Sequence, residues 1–181
     1  GKYDNIKIEF VISIFMILGS LPFVLYLQSL RGNITAIFKD SQVQFFLFLI
    51  VTSVLIVTFW NYQSTASLIN VFRSSFFNTI SIFTGTGYST QDFNNWGTFV
   101  IVLFLFLMLV GGCAGSTTCG IKIFRLQILY QSAKIQIFRL LNPHGVSVAK
   151  YNNQPVSEAI TSSVMGYFFM FIISYIIITL I

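Results

Sequence analysis

The residues with the clearest chemical capacity run from Ile82 to Gln91, Ile-Phe-Thr-Gly-Thr-Gly-Tyr-Ser-Thr-Gln. Glycine reaches positive φ at no steric cost, so the alternation Thr84-Gly85-Thr86-Gly87 lets successive carbonyl oxygens turn toward one axis. A row of bare carbonyls suits a dehydrated cation. The same letters also occur in plain turns, so the surroundings must decide. Thr84, Thr86 and Ser89 carry hydroxyls, but no histidine or aspartate is placed to activate them as nucleophiles, and an enzyme is not expected.

A second chemical stretch is Gly111-Gly112-Cys113-Ala114-Gly115-Ser116-Thr117-Thr118-Cys119-Gly120. Four glycines in ten residues oppose a helix, at about 1 kcal/mol each relative to alanine. Two readings stay open for it. Gly111 and Gly115 have the spacing that lets helices pack closely; alternatively, the segment is a helix broken inside the membrane, a usual pointer to an ion or substrate path. Cys113 and Cys119 do not have zinc-ligand spacing and have no nearby histidine. Gly115 to Lys122 fails the Walker pattern, because Ile121 separates Gly120 from the lysine and no Ser or Thr follows. His144, the single histidine, follows Asn142-Pro143 in a turn and reads as a surface residue. Arg73 could pair with Asp92, or simply extend its charge to the interface.

The elements that must position these residues are set by composition. Of 181 residues, 55% are hydrophobic and 8% charged, against ~25% charged in soluble domains. Five stretches lack any Asp, Glu, Lys or Arg: Phe10 to Leu30, Ser41 to Phe72, Ser74 to Gln91, Phe93 to Ile121 and Ala159 to Ile181. All but Ser74 to Gln91 reach the ~20 residues a spanning helix needs. The sequence predicts a first span over Phe10 to Leu30, bent at Pro22, and a second over residues 42–60. A short helix follows over 68–83, about 24 Å long and too short to cross. Its C-terminal carbonyls, worth roughly half a negative charge, would face residues 84–89 and favour a cation there. Apolar helix resumes over Trp96 to Val110, breaks at Gly111 to Gly120, and returns from Ile121 to about Leu141. Pro155 in a first turn and Glu158 at the positive end predict a last span over Ser157 to Ile181. There is no initiating Met and the sequence stops inside an apolar run, so a piece of a longer protein is expected.

Charge placement gives an independent check. If residues 68–83 enter the membrane and reverse, seven basic residues (Arg31, Lys39, Lys122, Arg125, Lys134, Arg139 and Lys150) fall inside, and Lys2, Lys7 and Arg73 fall outside. That obeys the positive-inside bias, which a fifth full span would violate. Trp60 and Trp96 then share the outer interface. The net charge of +5 is accounted for by sidedness, and no nucleic-acid partner is expected.

Taken together, Thr84-Gly85-Thr86-Gly87-Tyr88-Ser89-Thr90, then Trp96-Gly97, then Gly111 to Thr118 and Gly120-Ile121-Lys122, with the Asn142-Pro143-His144 turn, resemble the third repeat in the TrkH branch of the Trk/Ktr/HKT family of potassium transporters. The resemblance covers essentially the whole chain. It implies an all-α integral membrane fold: helix, re-entrant pore helix with filter loop, and broken helix, a potassium-channel-like M-P-M repeat with flanking transmembrane helices. Residues 1–41 would hold the last helix of a preceding repeat and a cytoplasmic linker, 42–141 a complete repeat, and 142–181 a linker and the first helix of the next. It implies K+ as transported ion, with no organic cofactor, held by backbone carbonyls of Gly85, Thr86 and Gly87, with Thr84 and Tyr88 supporting. Gly111, Gly112, Cys113, Ala114, Gly115, Ser116, Thr117, Thr118, Cys119 and Gly120 would form a gating loop. The implied partners are the remaining repeats of the same polypeptide around a pseudo-fourfold pore, a second copy in a homodimer, a cytosolic nucleotide-binding subunit of TrkA/KtrA type, and lipid of a bacterial cytoplasmic membrane. Cys119 departs from the family pattern, where glycine usually stands, and puts the loop's detailed geometry in question. Two other functions fit the residues without the resemblance: a non-conducting membrane protein whose glycines pack helices, and a broken-helix carrier for another solute.

Overall fold

The computed structural model describes residues 5–62, 67–142, 148, 150–152 and 154–180. In chain order the elements are α1 (Ile6–Gly19), α2 (Phe23–Leu30), α3 (Thr35–Lys39), α4 (Ser41–Asn61), α5 (Leu68–Phe83), a 3-10 turn (Phe93–Trp96), α6 (Thr98–Leu109), α7 (Ile123–Leu141), β1 (Lys150–Tyr151), β2 (Gln154–Pro155) and α8 (Glu158–Leu180). The chain divides into two compact units, Gly1–Ile123 and Phe124–Ile181. Lys2 and His144 of the sequence reading lie outside the described residues, as do Pro143 and Gly145.

In the first unit α5 is the central element, packed by α1, α4 and α6. Asp40 starts α4 by accepting the backbone N–H groups of Gln42 (2.9 Å) and Val43 (3.3 Å) on Oδ1, an N-cap that satisfies two orphan donors. Along α4 the buried residues Val43, Phe46, Ile50, Val54 and Val57 recur at helical spacing, while Phe45, Phe48, Val51, Leu55 and Phe59 stay exposed. An exposed apolar face of this kind is what a lipid-embedded helix carries. Phe46 stacks on Phe83 at 5.3 Å between ring centroids, which fixes α4 against the end of α5. Around α5 the packing is tight enough to bury Ser74, Ser75, Asn78, Thr79 and Ser81. Buried polar groups are costly without partners, so this helix carries its hydrogen-bonding capacity inward for a reason taken up below.

Among the described residues two helices, α4 and α8, are long and apolar enough to cross a membrane, and α1 with α2 forms a third candidate as a broken pair. The single bent helix predicted over Phe10 to Leu30 is corrected: α1 and α2 are separate and meet at 95°. Proline alone kinks a helix far less. At Ser20 to Pro22 the intrahelical ladder is replaced by partners from the Gly-rich segment, described in the next section. Trp60 and Trp96 are brought together, the Trp60 indole N–H donating to the Trp96 carbonyl at 3.1 Å.

In the second unit, β1 and β2 pair antiparallel with Lys150 opposite Pro155 and Tyr151 opposite Gln154, turning at Asn152 with φ 47°. Pro155 is therefore in a strand and not in the first turn of α8, a second correction; in a two-stranded ribbon a missing N–H can face away from the partner. The Phe124 ring meets Tyr151 edge-on at 4.8 Å, and the Arg125 guanidinium lies 3.7 Å from the centre of the Tyr167 ring.

Candidate functional site

The 84–90 loop starts as a helix cap. Gly85, at φ 71°, sends its N–H to the Ile82 carbonyl (3.1 Å), and the Thr86 N–H reaches back to the Ser81 carbonyl (3.0 Å). This is the paired closure that ends many helices on a glycine. It accounts for Gly85 as local structure. It does not account for Gly87, which takes φ 76° with the helix already ended. That second positive φ turns the main chain again within three residues.

Behind the loop lies a hydroxyl cluster. Thr84 Oγ1 donates to the Ile80 carbonyl (2.8 Å), while Thr86 Oγ1 lies 3.2 Å from Ser81 Oγ and 3.3 Å from Thr84 Oγ1. Met16 of α1 reaches the same hydroxyl, its sulfur accepting from Thr86 Oγ1 at 3.3 Å. The far end of the loop is held by Asn78, which is fully buried on α5. Its Oδ1 accepts the Thr90 N–H (3.2 Å), and its Nδ2 donates to Thr90 Oγ1 (2.9 Å) and the Ser74 carbonyl (2.8 Å). Residues 85–89 thus form an exposed arch tied to α5 at both feet. Among the described residues, the carbonyls of Gly85, Thr86, Gly87 and Tyr88 accept no hydrogen bond. An exposed arch of unengaged acceptors, with the Thr86 hydroxyl drawn back onto Ser81 and Thr84, can coordinate a cation through main chain alone.

The Gly111 to Gly120 segment is a loop with a closed neck. The Gly111 N–H donates to the Ile121 carbonyl (2.8 Å), and the Ile121 N–H donates to the Leu109 carbonyl (2.9 Å). The two strands of this neck leave no room for a side chain: a Cβ on Gly111 would sit 2.2 Å from the Cys119 carbonyl oxygen. Gly111 therefore serves a contact inside its own loop, and residues 111–115 are not helical; the helix-packing reading of the Gly111–Gly115 spacing is not met. The amino group of Lys122 folds back over the loop, reaching the Thr118 carbonyl, Thr118 Oγ1 (3.2 Å) and Ser116 Oγ (3.4 Å). Cys119 is exposed and has no positive φ. The residue that departs from the family pattern is accommodated without backbone strain.

This loop occupies the break between α1 and α2. The Ser20 carbonyl accepts the Cys113 N–H (3.1 Å), the Gly19 carbonyl accepts the Thr117 N–H (3.2 Å), and the Phe23 N–H donates to the Gly115 carbonyl (3.1 Å). From α4, Gln42 Oε1 accepts the Ala114 N–H at 2.8 Å. Broken backbone at membrane depth must find such partners inside protein, and here two interruptions satisfy one another.

Sequence reasoning found both loops but not what braces them. Arg73 does not pair with Asp92; it grips Glu9 of α1, Nε to Oε2 at 2.6 Å and Nη2 to Oε1 at 2.8 Å. Asp92 instead caps the 3-10 turn, accepting the Asn94 N–H at 3.1 Å. Glu9, Met16, Gln42 and Asn78 were missed. Asn78 alone left a signal, an amide in a charge-free run at a position a lipid-facing helix would not spend on it.

A family model described as TrkH, cation transport protein, matches residues 1–181. Among curated relatives, the Trk system potassium uptake protein TrkI of Halomonas elongata is 40% identical over 162 residues, 90% of this chain and 33% of its own length. TrkG of Escherichia coli, also a Trk system potassium uptake protein, is 33% identical over 174 residues, 94% of this chain and 36% of its own. The crystal structure of the potassium transporter TrkH from Vibrio parahaemolyticus matches with a TM-score of 0.89 at 26% identity, over 97% of this chain and 38% of that one. The chain spans about a third of the length of the curated relatives it matches. With the family model matched end to end and a helical, lipid-suited fold beneath it, this chain belongs to the TrkH family of cation transport proteins, as a multi-pass part of a bacterial cytoplasmic-membrane protein and not an enzyme.

Proposed function

We propose that this chain supplies one quarter of a potassium-uptake pore, with the carbonyls of Gly85, Thr86 and Gly87 as its share of the selectivity filter and Thr84 and Tyr88 in support. The observation that carries this reading is the exposed arch of residues 85–89, whose carbonyls accept no hydrogen bond among the described residues while both its feet are tied to α5. A stripped potassium ion needs oxygens on all sides, so the remaining repeats of the longer polypeptide complete the ring around a pseudo-fourfold axis. Residues 42–141 are then one complete M-P-M repeat, with 1–41 closing the repeat before it and 142–181 opening the one after. The relatives' names as potassium uptake proteins support potassium as the ion.

In the same reading the Gly111 to Gly120 loop is the gate. Its support is the pendant geometry, closed at the neck and held by the α1–α2 break, Gln42 and Lys122. The working protein is a homodimer that carries a cytosolic nucleotide-binding subunit of TrkA/KtrA type on its inner face.

The test is Gly87→Ala in the full-length protein. At φ 76° an added Cβ strains the backbone wherever it points, so the carbonyl must rotate. Discrimination of potassium over sodium in whole-cell uptake should fall by roughly tenfold or more. Wild-type discrimination at normal abundance removes the filter assignment and leaves the carrier reading in its place.

A further inference from the structure

One face of α1 is buried against the candidate site. Glu9, Ser13 and Met16 of the helix and its C-cap Ser20 recur at helical spacing, and all four are buried. Three of them reach out of the helix. Glu9 grips Arg73 in the second turn of α5, Met16 sulfur meets the Thr86 hydroxyl, and the Ser20 carbonyl holds Cys113 of the Gly-rich loop. One helix and its cap therefore touch α5 near its start, the arch at its end, and the loop beyond.

The geometry points to Glu9 and Arg73 as the positioning pair of the filter arch, an inference that rests on the filter reading above. A guanidinium meeting both oxygens of a carboxylate fixes orientation as well as distance. Here Nε meets Oε2 and Nη2 meets Oε1, so the fork holds α5 to α1 at two points. Met16 is two turns further along α1, about 10 Å, and touches the arch itself. The two contacts together set where the arch stands relative to α1. Replacing a buried ion pair by apolar residues is often neutral or stabilising, so the pair is not explained by stability. Register is the property that a two-point fork supplies and an apolar contact does not.

The experiment uses the full-length protein in cells that depend on it for potassium, with abundance measured alongside uptake. Glu9→Gln and Arg73→Gln should each lower potassium-over-sodium discrimination by roughly threefold to tenfold at normal abundance. Arg73→Lys should recover only part of the loss, since an ammonium cannot match both oxygens in the fork. The Glu9→Gln, Arg73→Gln double variant should lose less than the two single losses added together, because the fork between Glu9 and Arg73 is common to both. If Arg73→Gln leaves too little protein to assay, Glu9→Gln and Arg73→Lys carry the test, as neither strands a lone carboxylate. Wild-type discrimination in those two variants, or a fall in abundance with discrimination intact, overturns the positioning role. Gly87→Ala in the same assay separates the two ideas: if it alters discrimination and the pair does not, only this inference falls.

Discussion

Asn78 does with one side chain what a strand pairing would do with several residues. Both of its amide atoms are engaged, and through Thr90, twelve residues on, they return the arch to the helix it left. Asn78→Leu keeps the branched shape but removes the acceptor of the part-buried Thr90 N–H, a loss of about 1 to 3 kcal/mol where such a group goes unpaired. The expected outcome is a higher apparent KM for potassium with little change in maximal rate, read from concentration-dependent uptake. Unchanged KM at normal abundance would show that the arch keeps its shape without this tie. Asn78→Asp is the finer probe, since it preserves the acceptor for Thr90 N–H and removes both donated bonds.

At the scale of elements, the unusual feature is that two interruptions complete each other. The break at Ser20 to Pro22 exposes the Gly19 and Ser20 carbonyls and the Phe23 N–H, and the Gly-rich loop brings the complementary groups. A change in either element is then felt by the other. Gly111→Ala places a Cβ 2.2 Å from the Cys119 carbonyl, a clash with backbone that no side-chain rotation relieves. The neck must open, at about 1 to 3 kcal/mol for overpacking of this kind. Cys113 reports the event, because it is fully buried while Cys119 is exposed. In a Cys119→Ser background, Cys113 should react with a membrane-permeant thiol reagent faster in Gly111→Ala than in its parent. Equal labelling rates would mean the neck absorbs the methyl group without opening.

Across the whole molecule, the all-helical membrane plan was legible because it depends on counts and periods: charge-free runs long enough to span, one run too short, and glycines where helices must stop. The bracing was not legible, because it joins residues far apart in sequence. Arg73 pairs with Glu9 across 64 positions, Thr86 meets Met16 across 70, and Ala114 meets Gln42 across 72. Sequence reasoning offered Arg73 either the interface or the nearest carboxylate along the chain, Asp92, since proximity along the chain was its only measure of proximity in space. The 95° turn between α1 and α2 escaped for the same reason: proline predicts a kink, but only the loop lodged in the break explains a right angle. Pro155 was placed by its preference for first turns, and a pairing with Lys150 overrode it.

The neck of the Gly-rich loop has a further implication. The chain departs at Leu109 and rejoins at Ile121 through hydrogen bonds of 2.8 and 2.9 Å, so what lies between is a side excursion whose contour length is independent of the route it interrupts. Excising residues 112–118 should therefore leave the ends of the neck within reach of each other while stripping the α1–α2 break of its partners, so potassium flux per transporter in the full-length protein should rise while its abundance falls. Unchanged flux per transporter on excision would mean the excursion does not obstruct the path. Relatives of this chain are then free to differ in how long that excursion is only where they keep the groups that fill the α1–α2 break.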